Sequence, residues 1–148
     1  MLIGAVLTLW CSAACSGAAP LSEDARIARE ADALVVSMAR AYESKDLSGV
    51  MAGLAARLSD RQEIEQATRQ AFDRFDRIEL AISVDRIHLE GREVTVFAHW
   101  DGRWREANRV PIVRQGTVRL VMAAGTPVLV VQITGHNPFG LVPGPAIS

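Results

Sequence analysis

The sequence of 148 residues has no cysteine after Cys15, no charged side chain before Glu23, a single lysine and a single tyrosine. Each absence excludes something. With both cysteines, Cys11 and Cys15, in the first 22 residues, the remaining chain can form no disulfide, thiolate metal site or cysteine nucleophile. The uncharged opening marks a leader ahead of 126 residues of ordinary globular composition. Overall the chain is 49% hydrophobic and 22% charged, which excludes a disordered chain, a collagen-like or coiled-coil protein, a disulfide-stapled mini-domain and a polytopic membrane protein. Lys45 stands alone against 15 arginines, which reads as GC-rich coding bias rather than chemistry. Residues 23–77 carry 11 acids against 9 bases, and residues 78–148 carry 6 against 7. Neither half is a basic footprint, so no nucleic-acid partner is expected.

What is present in the leader is an apolar run, MLIGAVLTLW, too short for the roughly 20 apolar residues that span a bilayer as a helix. Small residues follow in Cys11-Ser12-Ala13-Ala14-Cys15-Ser16-Gly17. This segment resembles a bacterial lipobox, although Ser12 stands where that pattern usually has Leu and no basic residue precedes the apolar run. The resemblance implies a signal peptide over residues 1–14, lipidation at Cys15 and a tether over residues 15–22. It also implies an outer-membrane lipoprotein facing the periplasm, because Ser16 rather than Asp follows the cysteine. An ordinary signal peptide cleaved near Ala19 and a retained anchor are the alternatives.

Downstream, the apolar period is first helical. Ser22 can cap a helix with Ile27, Ala31, Leu34, Val35, Met38 and Tyr42 on one stripe. Asp46 can cap a second helix running through Leu47, Val50, Met51, Leu54 and Leu58, weakened by Gly49 and Gly53. A capping-box pattern at residues 59–63 opens a third, with Ile64, Ala67, Ala71, Phe72, Phe75 and Ile78 as its buried stripe. The Asp-Arg pairs at 60/61, 73/74 and 76/77 fall mostly off that stripe, as a solvated face would.

After Arg77 the period becomes two. Leu80, Ile82 and Val84 alternate until the phase slips at Asp85-Arg86, as in a bulged strand. A turn at Glu90-Gly91-Arg92 leads to a strand with Val94, Val96, Ala98, Trp100 and Trp104 on one face and Thr95, Phe97, His99, Asp101 and Arg103 on the other. Residues 108–115 read as a loop, residues 117–122 as a third strand, and residues 128–133, apolar on both faces, as a central strand. The expected fold class is α+β: three N-terminal helices packed on a curved, mainly antiparallel four-stranded sheet.

The helix at 25–42, the short helix after it, the bent strand, the tryptophan-bearing strand and a closing strand ending in Gly135-His136-Asn137-Pro138-Phe139-Gly140 together resemble the nuclear transport factor 2-like superfamily. The resemblance covers residues 23–140 and leaves residues 141–148 as an irregular tail. It implies a site in a cone between helices and concave sheet, and it hosts isomerases, dehydratases, cyclases and non-catalytic binding modules. The pocket residues expected are Met38, Tyr42, Trp100 and Trp104. Matched by residue type alone, Tyr42 and Asp85 are the nearest acid-base candidates. His88, His99 and His136 are spread over three strands without a ligand spacing, so no metal or cofactor is expected.

Three functions fit these residues: an envelope-attached, non-catalytic domain binding a small apolar ligand or a protein partner; an isomerase, dehydratase or cyclase using Asp85 and Tyr42; and a structural homodimer associating through Phe97 and His99. The first is the leading expectation.

Overall fold

The computed structural model describes residues 21–139. Residues 1–20, with Cys11 and Cys15, and residues 140–148 lie outside the described residues, and so do the expectations of a signal peptide over 1–14, lipidation at Cys15 and an irregular tail over 141–148.

Helix α1 spans Glu23–Glu43. Ser22 Oγ accepts a hydrogen bond from the Ala25 N–H at 3.2 Å, and Glu23 and Asp24 place negative charge at the positive end of the helix dipole. Ile27, Ala31, Val35, Met38 and Tyr42 form its buried stripe, as their spacing predicts. Burying each large apolar side chain contributes about 1.5–3 kcal/mol before chain entropy is counted. Tertiary burial, rather than propensity, therefore holds this helix.

Helix α2 spans Leu47–Ala52, with Asp46 as its cap: Asp46 Oδ1 accepts from the Gly49 N–H at 3.0 Å. It is one turn and a half, and the expectation that it runs to Leu58 is corrected. After Gly53 the backbone finds better partners on the sheet. The Val130 N–H donates to the Gly53 carbonyl at 2.9 Å, and the Ala55 N–H donates to the Val130 carbonyl at 2.8 Å. Leu54 and Leu58 are buried all the same. Their apolar spacing reported burial correctly and conformation wrongly.

Helix α3 spans Arg61–Arg74. Its capping box does not form: Asp60 is the N-cap residue but makes no side-chain cap bond, and its Oδ1 accepts from the Ser59 hydroxyl instead. Ile64, Thr68 and Ala71 are buried while Ala67 is half-buried, so the stripe lies one position round from the expected one. Thr68 explains the rotation, because its hydroxyl donates to the Phe139 carbonyl at 2.7 Å and satisfies a polar pair inside the core.

Four strands follow: β1 Arg77–Glu90, β2 Glu93–Arg105, β3 Ile112–Ala123 and β4 Leu129–Gly135. They form one antiparallel sheet in the order β1-β2-β3-β4. The register passes from Val84 opposite Ala98 to Arg86 opposite Phe97, leaving Asp85 as the extra residue of a bulge where the phase slip predicted one. β3 begins at Ile112, immediately after Pro111, so the loop is shorter than residues 108–115.

The expectation of a central closing strand is also corrected, since β4 is an edge strand. A second irregularity, between Val121 and Met122, places Val130 opposite Met122 and Ile133 opposite Leu120. Both therefore face the core although they are three residues apart. A bulge, not two-sided burial, produced the unbroken apolar run.

The core lies between the three helices and the inner sheet face. α1 covers the β1 side, where Glu43 Oε1 accepts from the Leu80 N–H at 2.8 Å. Lys45 donates from Nζ to the Phe72 carbonyl at 3.0 Å in the last turn of α3, where the helix dipole favours a cation. Among the described residues no helix is long and apolar enough to cross a membrane.

Candidate functional site

The inner face of β2 is built to carry two indoles. Trp100 and Trp104 lie on it four residues apart, in T-shaped contact with ring centroids 6.2 Å apart. Glycine makes room for both. A Cβ on Gly102 would stand 2.2 Å from Trp104 Cη2, and one on Gly116, the cross-strand partner of Trp100, would stand 2.9 Å from Trp100 Cζ2. Each indole N–H is satisfied: Trp100 Nε1 donates to the His136 carbonyl at 2.7 Å, and Trp104 Nε1 donates to the Tyr42 hydroxyl at 3.4 Å. The second bond is long and correspondingly weak.

Tyr42 completes the group. Its ring stands 5.4 Å from that of Phe72 and 5.7 Å, edge-on, from that of Phe139. Burial raises the phenol pKa above its ordinary value, against a smaller opposing effect of the Trp104 hydrogen bond. Tyr42 is thus a neutral hydroxyl at physiological pH, not a phenolate base. Met38, Tyr42, Trp100 and Trp104 are brought together by the fold, each no more than 1% exposed. They fill the cone with side chains.

Asp85 stands elsewhere. The bulge turns it to the outer sheet face, where its Oδ1 lies 2.7 Å from Nδ1 of His99, both side chains about half exposed at 51% and 50%. Tyr42 contacts Trp104 on the opposite face. The two cannot reach one ligand, so the acid-base pair has no common cavity. No carboxylate or imidazole among the described residues is buried. Nor do three or more His, Cys, Asp or Glu side chains among them gather as a metal cluster would require. The partnership of His99 with Asp85 escaped the sequence reading, although its parts were legible: an outward His99 and a bulge that shifts Asp85 out of phase.

An open cleft of about 370 Å³ adjoins Trp104. Phe75, Trp104, Val110 and Ile112 supply its apolar lining, with Arg74, Glu106 and Arg109 at its polar side. Glu106 ties the rim together, accepting from Nε of Arg74 and lying 3.2 Å from Nε of Arg109. Val110 is 87% exposed beside the opening. Sequence spacing did not single out Val110 or Ile112, because the cleft joins the end of α3 to the loop between β2 and β3.

Three helices packed on an unclosed, curved four-stranded antiparallel sheet make the nuclear transport factor 2-like fold, and the chain has that fold. Solved structures agree. The chain resembles a nuclear transport factor 2-like superfamily protein from Salmonella enterica at a TM-score of 0.63 and 15% identity, over 82% of this chain and 99% of that one. It is similar to a scytalone dehydratase-like protein from Novosphingobium aromaticivorans at a TM-score of 0.65 and 9% identity, over 74% and 84% of the two chains. A protein with a cystatin-like fold from Nostoc punctiforme matches at a TM-score of 0.61 and 15% identity, over 80% and 95%. No family model matches the chain, and no curated protein matches it in sequence. At such identities the likeness concerns the fold alone.

Proposed function

We infer that the chain is an envelope-tethered, non-catalytic binding domain, which takes a small apolar or amphipathic ligand in the cleft beside Trp104. The observation that carries this reading is the division of labour between cone and cleft. The cone is filled and, among the described residues, holds no buried carboxylate or imidazole, whereas the cleft joins an apolar lining to arginine side chains in a volume suited to a small ligand. A flat apolar body would lie against Val110 and Ile112, and a negative group on it would meet Arg74 or Arg109 in competition with Glu106.

The amphipathic dye 8-anilino-1-naphthalenesulfonate is a suitable probe, added to a chain starting at Leu21. Saturable binding with energy transfer from tryptophan is expected. Val110→Asp, a change at an exposed position, should weaken it by about tenfold through like-charge repulsion and lost apolar contact. Dye binding that is absent, or identical in the variant, would remove this site.

The tether is proposed from the leader, whose apolar run and small residues before Cys15 suit export and lipidation. Metabolic labelling with a fatty-acid analogue should mark the wild-type chain and not Cys15→Ala. Equal labelling of the two would sink the lipid anchor.

A further inference from the structure

We propose that the outer face of the sheet is a docking groove for an extended protein segment carrying acidic residues at one end and a basic residue at the other, with Arg86 and Arg119 as the acid-binding pair.

The groove begins at Phe97. Arg86 on β1 and Arg119 on β3 are its direct cross-strand partners, and their guanidinium carbons stand 4.4 Å and 5.9 Å from its ring centroid. Both distances fall within the roughly 6 Å reach of a cation–π contact. One ring thus holds two positive charges beside it. Several other arginines meet a carboxylate: Arg26 pairs with Glu23 and Glu30, Arg69 with Glu65, Arg77 with Glu79 and Arg109 with Glu106. Among the described residues Arg86 and Arg119 have no carboxylate partner. The nearest acid in the sequence, Asp85, pairs with His99. Acidic groups beside Phe97 would meet these guanidinia in the forked geometry that arginine offers to carboxylates.

The shape extends the argument from an ion to a segment. A cleft of about 350 Å³ runs from Asp85 and Phe97 past Arg119 and Thr134, and a second of about 360 Å³ runs past His99, Asp101, Gln115 and His136. Thr117 borders both, so the two adjoin on the outer sheet face. At the arginine end the one lining carboxylate, Asp85, is taken up by His99, and the other end carries Asp101. Asp101, exposed at the far end, forms no ion pair among the described residues. A single small anion would use only the Arg86 and Arg119 end. A segment with two acids followed by a basic residue meets the whole groove, with Thr117 between the ends and Gln115 opposite Asp101 as hydrogen-bonding groups.

The test uses the full-length chain in a nonionic detergent and a short fluorescein-labelled peptide with two glutamates at one end and one arginine at the other. Fluorescence anisotropy should show saturable binding at physiological salt, weakening as salt rises. Arg86→Gln with Arg119→Gln should weaken it about tenfold or more per arginine. Asp101→Asn should weaken it only for the peptide that carries the arginine. Arg69→Gln, on the far helix, should leave it unchanged. Equal affinity in the double variant would overturn the proposal, as would equal affinity of the peptide with glutamines for glutamates. Inorganic phosphate competing as strongly as the peptide would also overturn it, by reducing the groove to an anion site. If the double variant loses its fold, the salt dependence and the glutamine peptide on the wild-type chain still decide.

Discussion

Trp104→Ala should lower folding stability by about 3–5 kcal/mol, read from the midpoint of chemical denaturation of the chain. Trp104 is wholly buried and shares the cone with Tyr42 and Trp100. Truncation removes the indole's apolar surface from the core and leaves a void that surrounding rings can only partly fill. It also takes the N–H donor from the Tyr42 hydroxyl, although at 3.4 Å that bond contributes little. Since a domain of this size is stable by about 5–15 kcal/mol in total, the change would remove roughly a fifth or more of it. Trp104→Phe should cost much less, because it keeps one ring in place. A loss below about 1 kcal/mol for alanine would contradict the packing described, as even one deleted methylene in a dense core is felt at that level.

Gly102→Val is the second large effect, and it acts on the same ring from the other side. A Cβ at this position would fall 2.2 Å and 2.5 Å from two carbons of the Trp104 six-membered ring, so the indole must move or the strand must bend. Overpacking of this kind costs about 1–3 kcal/mol and sometimes more. Tryptophan emission should shift to the red as the ring is displaced. The decisive measurement is the double-mutant cycle with Trp104→Phe. A smaller ring leaves space for the new side chain, so the combined loss should fall short of the sum by about 0.5–3 kcal/mol. Strict additivity would mean that Gly102 is required for backbone reasons and not for the indole.

The two substitutions bear on function through the cleft, because Trp104 lies at the boundary between the filled cone and the open pocket lined by Phe75, Val110 and Ile112. Much of this boundary was legible in the sequence. The β2 alternation put Trp100 and Trp104 on one face and His99 on the other, and the α1 period put Met38 and Tyr42 inside. The slip at Asp85 announced the bulge. What escaped the sequence was every contact between distant elements: the Tyr42–Trp104 hydrogen bond spans 62 positions and the Thr68–Phe139 bond spans 71. Periodicity reports which way a side chain points, and says nothing of what it meets there.

The same distinction explains the corrections. Residues 54 and 58 recur at helical spacing, yet the chain leaves the helix at Gly53 because Val130 offers its backbone better hydrogen bonds. Residues 128–133 look apolar on both faces, yet β4 lies at the edge because a bulge turns Val130 and Ile133 inward together. Sequence alone determined the element order, the switch from helical to strand period, the burial of Tyr42, Phe75, Trp100 and Trp104, and the uncharged first 22 residues with both cysteines. These depend on neighbours within a few positions, where spacing and burial are coupled. Tertiary structure decided that the cone is full, that Asp85 faces away from Tyr42, and that Arg86 and Arg119 converge on Phe97. Those outcomes depend on register between strands, and a shift of one residue would send every side chain concerned to the opposite face.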